Sequence, residues 1–309
     1  MSVALSPRKG ETMRSTVSRE LSEETTEQLK KGKIPRSREK AYQRLLDRIE
    51  KEILTHDVIV NNKYTRWFKD GSFDREDLRH FLVQFSVFSN LFIEAQLKKV
   101  INAPTLEAMH ASKEILMNEL GVVFRKPGAK AAASKDVDAE LVGTEGTVDG
   151  GTFRFPAAHF EWLLRMISHV GLEYNDVGKR RNGAKSTVFF CDELSRLYGS
   201  DDPDVGLGAS FAVENWAAAG FWKELVQGLE TYKKREKSKM PIAFFTWHDR
   251  VEDQHAAHTW TELEEDYFSA DVDEDKFIRS GREMLDGVKA FWDGLNEARL
   301  QRDGVRKTG

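Results

Sequence analysis

The segment from Asp74 to Ile101, DREDLRHFLVQFSVFSNLFIEAQLKKVI, constrains the fold more than any other part of the chain. It contains neither glycine nor proline, and its apolar residues lie almost all round a helix of period 3.6. Asp74 is a suitable N-cap, and Asp77 follows three residues later. A helix that is apolar on most faces has to be covered by other elements. The segment therefore predicts a long central helix.

Further helices are predicted on both sides of this segment, because apolar residues recur there at the helical period. No strand-like alternation of any length appears outside residues 122–156, and seven prolines in 309 residues suit a helical chain. The fold class is predicted as all-α, a single domain over 37–305 built of about seven to nine helices. The predicted helices cover about 38–54, 61–68, 74–101, 105–121, 157–171, 186–199, 206–234, 240–269 and 273–302.

Two segments depart from the helical pattern. Residues 1 to about 36 are polar, charged and rich in Ser, Thr and Lys, which predicts a disordered or loosely attached tail. Residues 122–156 are rich in Gly, Ala and charge, which predicts an insertion loop, either a lid or a small hairpin. Our hypothesis is that the insertion controls access to a neighbouring site.

Composition narrows the classes of function. The net charge is −4, so nothing favours a broad nucleic-acid surface. Cys191 is the single cysteine, so no intrachain disulfide can form, and a reducing, cytoplasmic compartment is expected. The first residues lack the apolar core of a secretory signal, and no apolar run reaches about 18 residues, so no membrane association is expected. The expected partner is a small-molecule substrate, with a homodimer left open.

A metal-type triad lies in FFTWHDRVEDQHAAH, near the C-terminus. His248, Glu252 and His255 have offsets of 0, 4 and 7, which on a helix fall within about 60° of one another. Two imidazoles and one carboxylate on one stripe can chelate iron, manganese or zinc. The preceding run PIAFF is apolar and predicts that this helix enters a core. The alternative is a solvated helical face with i,i+4 charge contacts.

Four more candidate ligands lie in apolar surroundings. Glu214, in SFAVENWAAAGFW, would pay a large desolvation cost unless it is paired or bound to a cation, so the alternative is a buried salt bridge. Glu119 ends the helix ILMNELG, and His159 begins the helix HFEWLL. Glu94 lies in NLFIEAQL on the most apolar helix, where the alternative is a charge that points outward.

With these residues the chain resembles the haem-oxygenase-like non-haem diiron oxidases and oxygenases, the iron-containing redox enzyme group. In that family the last core helix carries His-x3-Asp/Glu-x2-His, an earlier core helix carries Glu-x6-His, and a middle helix carries one more Glu. The resemblance covers roughly residues 75–265 and implies a haem-oxygenase-like helical bundle. It implies six ligands, with Glu94 as an additional one: Glu119, His159, Glu214, His248, Glu252 and His255.

The resemblance also implies an activity. Two ferrous ions would activate O2 as co-substrate for N-oxygenation, desaturation or oxidative C–C cleavage of an amino-acid-like or fatty-acid-like substrate. The chain departs from the family pattern in one place, because Glu119 and His159 are 40 residues apart rather than about seven. The cost of closing a loop grows slowly with its length. We therefore expect the insertion to loop out and return His159 to Glu119.

Rival classes stay open at the level of sequence. The same fold is also that of metal-free enzymes of the thiaminase-II and pyrroloquinoline-quinone synthase types, which lack most of the six ligands. A non-catalytic helical interaction protein would tolerate alanine at His248 and His255. A ferritin-type carboxylate protein, which uses Glu-x-x-His pairs on two helices, is a third alternative.

Overall fold

A computed structural model describes residues 21–123, 152–153 and 158–308, and for some of these, including 251–256 and 258, the backbone alone. This part of the chain is helical apart from one two-stranded ladder, as the sequence predicts. The α-helices are α1 (Glu23–Lys30), α2 (Arg36–Ile49), α3 (Asp57–Val60), α4 (Lys63–Phe68), α5 (Arg75–Ile101), α6 (Leu106–Glu119), α7 (His159–Ile167), α8 (Lys185–Glu193), α9 (Pro203–Ala217), α10 (Phe221–Glu236), α11 (Ala243–Ser269) and α12 (Glu274–Thr308).

Shorter elements connect these helices. Two π-helical turns, Glu50–Leu54 and Leu194–Tyr198, directly follow α2 and α8. Three 3₁₀ turns lie between α7 and α8, at Ser168–Val170, Tyr174–Asp176 and Arg180–Asn182. Among the described residues, no helix combines the length and the apolar character that a membrane span requires.

The central helix is α5, as predicted. Asp74 caps it and forms a capping box with Asp77, in which each side chain accepts a hydrogen bond from the other's backbone N–H. Phe81 and Phe85 are fully buried on this helix. The ring of Phe85 lies 5.4 Å from that of Phe245 on α11, within the range of favourable aromatic pairs. The first turn of α11 is therefore anchored directly on the centre of the core.

The helix count exceeds the prediction of seven to nine because several short helices form and one predicted helix is divided. The segment 206–234 forms α9 and α10 rather than one helix. Gly220 separates them with φ 93°, a left-handed conformation that glycine adopts without a steric penalty. The break turns the chain back, so that α10 packs against α11 and α4.

Residues 22–34 differ from the loosely attached tail that composition predicts. Ser22 caps α1, and its backbone N–H donates to Glu264 on α11 at 2.9 Å. Leu29 and Ile34 are buried. These few apolar side chains and one long-range hydrogen bond attach the segment, although its composition is polar. Residues 1–20 of the predicted tail lie outside the described residues.

A short antiparallel ladder closes the base of the insertion. Strand β1 (Val122–Val123) pairs with β2 (Thr152–Phe153), with Val122 opposite Phe153 and Val123 opposite Thr152. The intervening residues 124–151, on which the lid hypothesis rests, lie outside the described part of the chain. The ladder brings the chain back beside the end of α6, six residues before α7 begins.

Candidate metal centre

Three of the predicted ligands converge in the structure. Glu119 is the last residue of α6, His159 is the first residue of α7, and His248 lies in the second turn of α11. Each offers one ligand atom, and these atoms all lie within 4.8 Å of one another. His159 and His248 are buried, and the Glu119 side chain is 12% exposed. A carboxylate and two imidazoles at this separation form a donor set that a divalent transition metal can hold.

Glu119 and His159 meet because the ladder returns the chain. His159 Nδ1 lies 2.9 Å from Glu119 Oε1. A carboxylate accepts, so Nδ1–H donates and the lone pair is left on Nε2. Within the described residues, nothing is bonded to Glu119 Oε2. The pair thus retains an imidazole nitrogen and a carboxylate oxygen for a metal, and it matches the carboxylate–histidine arrangement that orients many metal ligands.

The tautomer of His248 is fixed by its own helix. His248 Nδ1 lies 2.7 Å from the carbonyl oxygen of Phe244, one turn earlier. A carbonyl oxygen can only accept, so Nδ1 carries the proton and Nε2 carries the lone pair. Metal-binding histidines commonly donate their second ring N–H to a backbone carbonyl in this way. The imidazole is therefore already in the form that a metal requires.

Aromatic rings enclose the two imidazoles. Trp222 stacks on His248 with ring centroids 4.6 Å apart, and Trp247 lies 4.4 Å from His159. Trp162 covers His159 at 5.1 Å, and Phe244 lies 4.3 Å from His248. Such walls exclude water and limit the motion of both rings, which strengthens electrostatic interactions within the site.

The other predicted ligands have different outcomes. Glu214 is buried, at 8% exposure, but does not belong to the cluster of Glu119, His159 and His248. Glu252 and His255 follow His248 on α11 at one and two turns, and their side chains lie outside the described residues. Glu94, the possible additional ligand, lies outside the cluster and on the surface, as its alternative interpretation has it. Its side chain is 59% exposed, and it contacts Lys98 at 3.5 Å and the Ser195 hydroxyl at 3.3 Å.

Two residues that the sequence reasoning missed belong to the same interior. Tyr198 is buried, and its pKa is raised well above the usual range by burial and then by the charges of Glu214, Glu262 and Glu119. The tyrosine therefore lies in the field of three carboxylates, one of them in the cluster. Glu262 could have been found, because it continues the stripe of His248, Glu252 and His255 at an offset of 14. Tyr198 could not, because it is positioned by a π-helical turn.

A solved structure is similar to this chain in its fold. It is the crystal structure of a domain of unknown function with a haem-oxygenase-like fold from Shewanella denitrificans OS217. The TM-score is 0.53 at 15% identity, and the match covers 84% of this chain and 95% of that one. No family model and no curated protein matches the chain. The fold is therefore all-α and haem-oxygenase-like, as predicted.

Proposed function

We propose that the chain is a non-haem iron oxidase or oxygenase that acts on a small molecule with O2 as co-substrate. The observation that supports this best is the convergence of Glu119, His159 and His248 from three separate helices. Two of these residues are 40 positions apart and are nevertheless within hydrogen-bonding distance. The family resemblance implies all three as ligands.

Two imidazoles and one carboxylate are the donor set of non-haem ferrous centres, and catalytic zinc sites use the same set. The proposal chooses iron because the family resemblance implies it. In this proposal Glu119, His159 and His248 hold one ion, and Glu252, His255 and Glu214 complete a dinuclear site. Bound ferrous iron would supply the electrons that activate O2. N-oxygenation, desaturation and oxidative C–C cleavage are the reaction outcomes that the resemblance suggests.

The residues around the cluster have separate tasks in this proposal. The Phe244 carbonyl accepts the Nδ1 proton of His248, which leaves Nε2 as the nitrogen that would bind a metal. Glu119 holds and orients His159. Trp222 and Trp247 pack on the two imidazoles and exclude water. Water exclusion protects a reactive oxidant from side reactions.

Anaerobic loading with Fe(II), followed by metal analysis and by optical spectra after O2 exposure, tests the proposal. We expect about two irons per chain and a transient visible band. His248→Ala should lose most of the iron, whereas His169→Ala, which removes an exposed histidine after α7, should keep it. Wild-type protein that retains no iron would overturn the proposal.

A second function is favoured by one contact. The hydrogen-bonded pair of His159 and Glu119 in an aromatic pocket is also the arrangement of a general base and its orienting carboxylate, as a metal-free enzyme would use it. That alternative predicts that chelators change neither the melting temperature nor the turnover. It also predicts no difference in metal content between His248→Ala and wild type.

A further inference from the structure

A cavity of about 370 Å³ lies between α5, α6, α9 and α11. This volume is within the range of small-molecule pockets, about 300–1,000 Å³. Its walls include the side chains that carry the argument: Lys99, Ser112, Tyr198, Ser210, Glu262 and Asp266. The π-helical turn Leu194–Tyr198 presents Tyr198 to this space, and π-helical turns are frequent at functional sites.

Lys99 is the single cation among the residues that line the cavity. Its Nζ donates to Ser210 Oγ at 2.6 Å and lies 4.7 Å from the centre of the Tyr198 ring. Neither contact neutralises the charge. Among the described residues, no carboxylate forms an ion pair with Lys99. A half-buried ammonium that is held in place but not neutralised is suited to bind an anionic group of a ligand.

The rest of the charged lining is acidic. Four carboxylates line the cavity, and one of them, Asp271, already pairs with Arg38 at 3.2 Å. Glu262 and Asp266 lie one turn apart on α11 and have no hydrogen-bond or ion-pair partner among the described side chains. Burial, and then the charges of Glu262, Glu265 and Asp204, raise the pKa of Asp266 to about 6. Lys99 therefore does not neutralise Glu262 and Asp266, although it lines the same cavity.

The cavity and the cluster are aligned along shared helices. On α6, Ala108 and Ser112 line the cavity and Glu119 belongs to the cluster; offsets of 4 and 11 place all three on one stripe. Ser112 and Glu119 are two turns apart, roughly 10 Å along the axis. On α9, Ser210 lines the cavity one turn before Glu214. The helices α6 and α9 thus carry both cavity-lining residues and proposed iron ligands.

We propose that this cavity binds a small zwitterion, with its carboxylate on Lys99 and its ammonium group on Glu262 and Asp266. The assignment of this zwitterion as the substrate rests on the proposed function, whereas its binding does not require iron. The excess of acidic groups disfavours a plain fatty acid, since its single charge would be attracted by Lys99 and repelled by the rest of the lining. The cavity therefore selects amino-acid-like over fatty-acid-like molecules.

Calorimetry on the full-length protein, prepared without metal, tests this binding. The probes are straight-chain ω-amino acids of two to eight carbons. The best of them is then compared with the alkanoate and the alkylamine of the same length. We expect the amino acid to bind at least about tenfold more tightly than either, as expected when two charge-assisted contacts act together. Binding near pH 6 should also release protons, because an ammonium group lowers the pKa of Asp266.

Two lysine variants make a matched pair. Lys99→Met should weaken binding of the amino acid by about tenfold or more and leave binding of the alkylamine unchanged. Lys98→Met, which removes an exposed neighbour paired with Glu94, should change neither. Asp266→Asn should weaken both ammonium-bearing probes. The inference is overturned if no amino acid binds more tightly than about 10 mM, if the alkanoate binds equally well, or if both lysine variants behave alike.

Iron analysis of the same proteins separates the two proposals. Lys99→Met should keep the iron content of the wild type, because Lys99 is not a proposed ligand. Zwitterion binding without any iron uptake would support the cavity and reject the oxidase. Iron uptake without zwitterion binding would support the oxidase and reject the cavity.

Discussion

His159 and Glu119 are separated by 40 residues of sequence, and the Nδ1 and Oε1 atoms of the two side chains are 2.9 Å apart. The β1–β2 ladder makes this contact possible, because it brings the chain back beside the end of α6 before α7 starts. The entropy of closing a loop depends only weakly on its length, so the insertion costs little at this position.

Glu119→Gln should reduce iron affinity by about 10- to 100-fold, the usual range when a group that binds or orients a metal ligand is lost. Glu94→Gln is the matched control, because Glu94 lies on the surface beside Lys98. Anaerobic competition with a chromophoric Fe(II) chelator measures both affinities. Equal affinities for the two variants would remove Glu119 from the site.

Replacing residues 124–151 by Asn-Gly should keep helix content and iron binding. A two-residue Asn-Gly turn is compatible with an antiparallel ladder and would join Val123 to Thr152 directly. Circular dichroism and iron per chain are the measurements. A variant that also deletes the four ladder residues should lose iron, because His159 is then no longer returned to Glu119. If the short-turn variant binds no iron, the ladder is not sufficient to position His159.

Asp266→Asn should raise the melting temperature at pH 8 and have little effect near pH 4. The folded state raises the carboxyl pKa to about 6 through burial and through the charges of Glu262, Glu265 and Asp204. Below about pH 3.9, the pKa of an aspartate in the unfolded chain, Asp266 is protonated in both states and does not oppose folding. As the pH rises through 6, the carboxyl of the folded state ionises against its surroundings, and the folded state is less stable than it is at low pH. Asn carries no charge, so the variant avoids the penalty.

Thermal melts of the two proteins between pH 4 and pH 8 measure this difference. Asp271→Asn is the control, since Asp271 lines the same cavity but is exposed and paired with Arg38. A melting difference for Asp266→Asn that stays constant with pH would contradict the assignment.

Gly208→Ala should destabilise the fold by about 1–3 kcal/mol. A Cβ at this position would overlap the carbonyl oxygen of Phe277 and the hydroxyl of Ser280, so α9 and α12 would have to separate. Gly206→Ala in the same helix meets nothing closer than 3.8 Å and should stabilise by up to about 1 kcal/mol. Urea denaturation gives both free energies of unfolding. Similar values for the two variants would show that α9 and α12 are not in close contact at Gly208.

The helices were predictable where amphipathic or apolar periodicity is strong, as in α2 and α5. The break at Gly220 was not, because Ala218 and Ala219 favour a helix and a left-handed glycine leaves no local pattern. Glu94 remained ambiguous in the sequence, because the run around it is apolar while its own side chain faces solvent. The resemblance implies six ligands, and the side chains of Glu119, His159 and His248 meet in the structure. These three residues lie at the end of a helix or within its first two turns. Lys99 was missed, since only the tertiary structure places it in a cavity.

The π-helical turn Leu194–Tyr198 makes the cavity sensitive to chain length. Such a turn accommodates one more residue than an α-helical turn does. Removing any single residue there would restore an uninterrupted α-helix and rotate the downstream residues by about 100°. The Tyr198 ring would then move away from the Nζ atom of Lys99. Because Leu194 and Leu197 of this turn are buried in the core, a one-residue deletion would disturb core packing and ligand recognition together.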